Sequence, residues 1–330
     1  MRMIVYSPPG LDDTGLVSSV RNAVCVPRAD WSDGICKEGL DARMRSFNEQ
    51  VSSMGSNIIV YAHLPPVGSG EAETFFRQYD RGLYDVFVYL DVDDDVVDDR
   101  RDSEILLLHS ECLRLGKEFI IINRGYGLET EFLEGILDGS ILTAPAAARE
   151  AADRIIGSSK GRRVVLSDGD DTLMDIDLTM SILEQSAPTR DPFSRRRYTT
   201  YQYWLAYRTN EVPDIESAFE RAVSNSSFVE PLMEDVSAID ALRVVVTGGI
   251  DDLWRRALDG REGFGTVAGS RADGTACMSQ FAKVLLARYV RQAGIEVIAL
   301  GDSMVDYYML LEADRGFVIA HRKKNPSLQE

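Results

Sequence analysis

The chain has 330 residues, 45% hydrophobic and 27% charged, and a formal net charge of −17, a length typical of two domains. The acidic balance disfavours broad nucleic-acid binding, which needs a basic surface, and no apolar run approaches the about 18 residues of a membrane-spanning helix. The four cysteines are scattered without a metal-binding spacing, which is typical of reduced thiols in a cytoplasmic protein.

Residues 1–142 alternate short apolar runs with polar segments of helical period. This alternation predicts a parallel sheet with helices on both faces, so we expect a doubly wound, Rossmann-like α/β domain. The apolar runs are Ile4–Tyr6, Ile58–Tyr61, Val86–Leu90 and Phe119–Ile122.

The loop after the first of these runs, SPPGLDDT at 7–14, resembles the phosphate-binding loop of nucleotide kinases, especially archaeal adenylate-kinase-like ones. In that register Asp13 stands where the kinases have the lysine that reaches the nucleotide phosphates, and Asp12 stands at a glycine position. Two carboxylates there would repel a triphosphate. The resemblance therefore implies a P-loop-kinase-like domain without ATP binding, which could instead form a homo-oligomer. A doubly wound domain of another origin is the alternative.

An alanine-rich segment at 143–161 follows and ends in Gly157-Ser-Ser-Lys-Gly161. We predict a helical linker here with a small, polar joint at its end. Residues 162–330 then form a second α/β domain.

Carboxylates follow two apolar runs of this second domain. Asp168 and Asp170 come after Val164–Leu166, and Asp302 and Asp306 come after the run at 297–300. Such runs are typical of buried parallel strands, whose carboxyl ends are where ligands bind in open α/β sheets. Several acids converging there repel each other unless a cation lies between them, and Mg²⁺ prefers such oxygen ligands.

Three motifs in order are similar to those of the haloacid dehalogenase superfamily, mostly phosphatases, over about residues 160–325. They are Asp168-x-Asp170-x-Thr172, a strand at 244–249 that presents Thr247, and Gly301-Asp302-x-x-x-Asp306. The resemblance, closest to phosphoserine-phosphatase-like members, implies a parallel sheet with a small helical cap, a bound Mg²⁺ and hydrolysis of a phosphate ester.

The resemblance also assigns roles to residues. Asp168 would be the nucleophile that forms an aspartyl-phosphate, and Asp170 the general acid and base. Lys283, in the helical segment before the last motif, would supply the cation that the chemistry needs. Phosphate would be bound by Thr172, Thr247, Gly248 and Gly249, and Mg²⁺ by Asp168, Asp170, Asp302 and Asp306.

The segment at about 177–240, between the first two motifs, has helical periodicity and predicts the cap. Within it, Arg195 and Arg197 are candidates to bind a second anionic group of the substrate. Tyr201, Tyr203 or Trp204 could pack on a ring or sugar. The alternative is that the arginines form a solvated face and the aromatic side chains form the core of the cap.

The sequence therefore predicts an Mg²⁺-dependent phosphomonoesterase that acts on a small phosphorylated metabolite, without a membrane partner. A polynucleotide 3′-phosphatase-like end-processing enzyme is one alternative, against which the acidic charge and the altered P-loop count. A non-catalytic binding protein with a vestigial site is another.

Overall fold

The structure of the protein is a computed structural model. It describes residues 1–7, 14–28, 37–55, 57–63, 76–91, 99–183, 193, 198–209 and 214–320. The chain forms two compact units, residues 1–141 and 142–330, and each contains one five-stranded parallel sheet. The predicted α/β class with two parallel, Rossmann-like sheets is confirmed.

The first sheet has the strand order β2-β3-β1-β4-β5. Strands β4 and β5 are buried at every position, which explains why they are continuous apolar runs. The sequence analysis missed β2, a four-residue strand at the sheet edge whose residues are at least partly exposed. The strands are β1 (Arg2–Ser7), β2 (Val24–Pro27), β3 (Ile58–His63), β4 (Val86–Asp91) and β5 (Glu118–Asn123).

Helices connect these strands, together with a short π-helix at Phe76–Asp80. Asp13, predicted to replace the kinase lysine, and Asp12, predicted to replace a glycine, lie outside the described residues. The loss of ATP binding therefore stays a prediction. The helices of this unit are α1 (Thr14–Ser18), α2 (Lys37–Ser53), α3 (Asp99–Leu115) and α4 (Glu129–Asp138).

The second sheet has the order β10-β9-β6-β7-β8. From the central strand β6 the chain adds β7 and β8 on one side and then crosses to add β9 and β10 on the other. The change of direction between β6 and β9 is a topological switch point, where open α/β sheets bind ligands. The strands are β6 (Val164–Ser167), β7 (Leu242–Ile250), β8 (Thr266–Ser270), β9 (Val297–Gly301) and β10 (Arg315–Val318).

Eight described helices surround this sheet. The predicted linker is the helix α5, which lies in the second unit and packs against α11. Its first turn is stabilised because Thr143 accepts a hydrogen bond from the Ala146 amide. The helices are α5 (Ala144–Ser159), α6 (Leu178–Leu183), α7 (Thr200–Thr209), α8 (Ile215–Ser224), α9 (Glu230–Ser237), α10 (Asp251–Ala257), α11 (Gln280–Gln292) and α12 (Tyr307–Glu312).

Four helices, α6 to α9, are inserted between β6 and β7, where the cap is predicted. Phe219 of α8 and Met233 of α9 belong to the same hydrophobic core as Val165 and Val245 of the sheet. Leu178 and Ile182 of α6 belong to that core as well, so much of the insertion is a layer of the domain itself. None of the described helices has the length and apolarity that crossing a membrane would need.

Candidate active site

Asp168 lies immediately after β6 and is almost fully buried. Its amide donates a hydrogen bond to the Leu300 carbonyl at 2.9 Å, which ties it to β9. The next residue must be small, because a Cβ at Gly169 would lie 2.6 Å from the Trp254 ring. The turn after Asp168 is thereby fixed by packing on both sides.

Thr172 closes this turn. Its hydroxyl lies 3.3 Å from Asp168 Oδ2 and 3.4 Å from Asp302 Oδ1, as a donor to either carboxylate. The sequence predicts Thr172 as a phosphate ligand, whereas the structure directs its hydroxyl at the two acids. Thr172 thus contacts two of the site's carboxylates, and its role as a phosphate ligand stays a prediction.

Lys283 reaches the same edge from the first turn of α11 and is buried. Its Nζ donates to Asp168 Oδ1 at 2.6 Å and to Asp306 Oδ1 at 2.7 Å. Burial by itself would lower the pKa of Lys283, but the charges of Asp168 and Asp306 outweigh it and hold that pKa well above its usual value. The ammonium group is thus fixed in its charged form.

The other cations of α11 point elsewhere. Arg288 pairs with Glu312 at 2.9 Å, and Arg291 pairs with Asp314 at 3.0 Å. Of the three cations of this helix, Lys283 is the one that contacts Asp168 and Asp306.

Three carboxylates converge beside this lysine. Oxygen atoms of Asp168, Asp302 and Asp306 all lie within 4.8 Å of one another. Burial, followed by the charges of Asp306 and Asp171, raises the pKa of Asp302 to about 6. Burial and the charge of Asp306 raise the pKa of Asp168 well above its usual value. Burial is the larger cause of both shifts and repulsion among the carboxylates adds to it; a bound cation would relieve that repulsion.

The carboxylate of Asp170 is held apart from this cluster. Oδ1 accepts a hydrogen bond from the Leu178 amide at 2.8 Å, and Oδ2 accepts one from the Thr247 hydroxyl. Its side chain is therefore a link between the first motif, the start of the insertion and β7. Burial raises the pKa of Asp170, so this carboxyl group retains a proton to higher pH than a solvated one.

The loop of Thr247, Gly248 and Gly249 lies against the insertion. The Thr247 hydroxyl oxygen accepts from the Gly249 amide at 2.8 Å. A Cβ at Gly248 would lie 2.5 Å from Cε1 of Tyr203, and one at Gly249 would collide with the Thr179 hydroxyl. Both glycines are needed because helices α6 and α7 approach the backbone this closely.

A hydrogen-bonded clamp fixes the peptide after Gly248. The Gly248 carbonyl oxygen accepts hydrogen bonds from the Ser270 hydroxyl at 2.7 Å and from the Tyr207 hydroxyl. Tyr207 belongs to α7 of the insertion, and burial raises its pKa so that it remains a donor. The position of this loop thus depends on the insertion.

A cavity of about 520 Å³ opens at these groups. Its lining combines the site acids and Lys283 with side chains from the insertion. Arg195 and Arg197, predicted to bind a second anion, lie outside the described residues. The lining residues from the insertion are Asp177, Thr179, Met180, Leu183, Phe193, Tyr198, Tyr203, Ala206 and Tyr207.

Of the three aromatic candidates in the sequence, Tyr203 lines the cavity. Tyr201 and Trp204 are buried on other faces of α7, with ring centroids 6.0 Å apart. The sequence analysis did not single out Phe193, Tyr198 or Tyr207. A four-residue spacing from Tyr203 to Tyr207, which places both on one helix face, was the available signal for the last of these.

Comparisons with known proteins find little. No family model matches the chain, and no curated protein matches it. A solved structure described as a phospho-aspartyl intermediate analogue of phosphoserine phosphatase matches 51% of this chain and 90% of its own, with 18% sequence identity and a TM-score of 0.37. Because both values are low, we argue the function from the geometry of the site.

Proposed function

We propose that the second unit is a Mg²⁺-dependent phosphomonoesterase of the haloacid dehalogenase type, acting on a small phosphorylated molecule. One observation carries this proposal: Lys283 bridges Asp168 and Asp306 at the switch point of a parallel sheet. A buried nucleophile beside a fixed cation suits attack on a phosphate ester, because catalysis of phosphoryl transfer is mainly positioning and charge stabilisation.

The donor set supports a magnesium site. Asp168 and Asp302 would hold the ion together with the backbone carbonyl of Asp170, because close oxygen ligands are what a hard cation prefers. Asp306, which also accepts from the Ser303 hydroxyl at 2.8 Å, would chiefly hold Lys283. When bound, Mg²⁺ would neutralise charge on the phosphate oxygens.

The phosphate loop is the second requirement. Thr247 and the amide of Gly248 would bind the phosphate oxygens. Gly248 lines the cavity beside Asp168, and Thr247 precedes it in the chain. Glycines allow close approach of an anion to backbone N–H groups. Lys283 would stabilise the charge of the transferred group.

The reaction follows in two steps. Asp168 attacks phosphorus while the bond to the leaving oxygen breaks, and Asp170 gives its proton to that oxygen. A water molecule then attacks the aspartyl-phosphate and passes its proton to Asp170. The bond to Asp168 breaks, inorganic phosphate forms, and both acids are restored. The raised pKa of Asp170 supports its role as the initial proton donor.

Phosphate release tests this proposal. We expect release from one or more members of a panel of phosphorylated metabolites in Mg²⁺, none in EDTA and none from Asp168→Asn. That variant keeps the shape of the side chain but removes the nucleophilic oxygen. Asp259→Asn, at an exposed position, serves as the matched control and should retain full activity.

A 3′-phosphorylated oligonucleotide belongs in the same panel. If it is the best substrate, the end-processing alternative replaces the metabolite phosphatase. If no compound releases phosphate, the vestigial-site alternative is favoured and the proposal is contradicted.

A further inference from the structure

Aromatic side chains of the insertion form one wall of the cavity. The ring of Phe193 meets that of Tyr203 edge to face, with centroids 5.2 Å apart. The same ring is stacked on Tyr198, with centroids 5.7 Å apart and planes inclined by 23°. We call these three residues the aromatic wall. Two apolar residues of the insertion, Met180 and Leu183, also line the cavity.

The aromatic wall begins next to the phosphate loop. The Tyr203 ring lies so close to Gly248 that a Cβ there would be 2.8 Å from its hydroxyl oxygen. Tyr203 is also near enough to Lys283 and Asp306 for their charges to affect its pKa, which burial raises. A group attached to a phosphate bound at Gly248 would therefore begin beside the Tyr203 ring, in a cavity that Phe193 and Tyr198 also line.

The charges around the cavity restrict the remainder of such a molecule. Among the described lining residues Lys283 is the one cation, and three acids outside the metal cluster also line the cavity: Asp170, Asp171 and Asp177. A second anionic group beside them would be repelled. A flat, uncharged group is more compatible with this lining.

We propose that the substrate is a phosphate monoester whose alcohol carries a flat aromatic ring, and that the aromatic wall selects this ring. The inference rests on the proposed function and names its substrate class. Aromatic pairs prefer offset-stacked or edge-to-face contacts, which a saturated ring of the same size cannot provide. A cavity of about 520 Å³ is of the size that binds small organic ligands.

Two esters that differ only in ring flatness test the proposal. Benzyl phosphate and cyclohexylmethyl phosphate are both esters of primary alcohols, so their leaving groups have similar reactivity. We expect kcat/KM to be about tenfold higher for benzyl phosphate, the effect of one good aromatic contact. Equal values for the two esters would overturn the inference while leaving the phosphatase proposal intact.

Variants assign the preference to the wall. Tyr198→Leu should remove most of the preference, so that the ratio of the kcat/KM values for the two esters falls toward one. Phe193→Leu should act in the same direction, and Tyr289→Leu, a tyrosine of α11 outside the cavity, should leave the preference unchanged. A full preference in both Tyr198→Leu and Phe193→Leu would contradict the role of the wall.

Binding separates this inference from the phosphatase proposal. Calorimetry with benzylphosphonate and cyclohexylmethylphosphonate measures the same preference without turnover. If no ester is hydrolysed but benzylphosphonate binds about tenfold more tightly, the phosphatase proposal fails and the ring preference stands. Equal affinities would overturn the ring preference by themselves.

Discussion

Lys283 Nζ lies 2.6 Å from Asp168 Oδ1, although the two residues are 115 positions apart in the chain. The same ammonium group binds Asp306, so one cation serves two buried acids. These ion pairs neutralise part of the negative charge of the carboxylates that meet at the sheet edge. They also hold Asp168, the predicted nucleophile, in place beside the cavity.

Replacing this cation should impair both chemistry and folding. We expect Lys283→Met to lower kcat by on the order of a hundredfold or more, the effect of removing one electrostatic donor. The variant should also lose about 3–5 kcal/mol of unfolding free energy, because two buried acids lose their partner. Phosphate release and urea titration measure the two effects. Lys283→Arg, which keeps the charge, is the control, and a wild-type rate in Lys283→Met would contradict the assignment.

Magnesium affinity should depend on the ionisation of Asp302. Its pKa of about 6 lies above the usual value, so the folded protein retains this proton as the pH rises from about 4 to about 6. Because Mg²⁺ needs the carboxylate, its affinity should fall by about tenfold per unit as the pH decreases below 6.

Calorimetric titration with Mg²⁺ at several pH values checks this dependence. Asp302→Asn should bind Mg²⁺ weakly at all of them, whereas Asp259→Asn should behave as the wild type. An affinity that is independent of pH between 5 and 7 would contradict the raised pKa of Asp302, and wild-type affinity in Asp302→Asn would exclude it as a ligand.

Tyr207 should act on the reaction through the phosphate loop. Tyr207→Phe removes the hydrogen bond to the Gly248 carbonyl while keeping the ring, and Ser270 still binds that oxygen. We expect a decrease in kcat of about fivefold, which corresponds to one hydrogen bond. Adding Ser270→Ala should reduce kcat by more than the product of the single effects, since both hydroxyls hold one atom. Tyr289→Phe is the control, and additive single effects would exclude a shared role.

In the first unit, a buried ion pair should dominate local stability. Arg28 Nη1 donates to both oxygens of Asp80 at 2.7 and 2.9 Å, and the Tyr6 hydroxyl donates to Oδ2 at 2.7 Å. Asp80→Asn should cost about 3–5 kcal/mol, because it leaves the buried guanidinium without its counter-charge. Hydrogen exchange of the β1 and β3 amides reports this loss.

Two ion pairs with exposed arginines provide the comparison. Glu111 binds Arg77 and Arg114 near the surface, so Glu111→Gln should cost about 0–1 kcal/mol. Similar losses for Asp80→Asn and Glu111→Gln would mean that burial of the first pair has no energetic consequence.

Strands whose residues are buried on both faces could be predicted from the sequence, because burial demands continuous apolar runs. This holds for β4, β5 and β6. The edge strand β2 was not predicted, because its partly exposed residues do not form a continuous apolar run of this kind. The packing of the insertion against the sheet could not be predicted either, because apolar periodicity in α8 and α9 indicates burial without naming the surface that provides it.

The sequence by itself determined which residues end the strands of the second unit, since an apolar run broken by Asp168 or Asp302 is a local pattern. Only the tertiary structure decided that these two acids become neighbours, because the order β10-β9-β6-β7-β8 places β6 beside β9. It also decided that Asp170 binds Thr247 and Leu178, and that Tyr203 lies against Gly248. Except for the bond between Asp170 and Leu178, which are eight positions apart, these contacts join residues distant in the chain, and they follow from how the helices pack on the sheet, which no local pattern encodes.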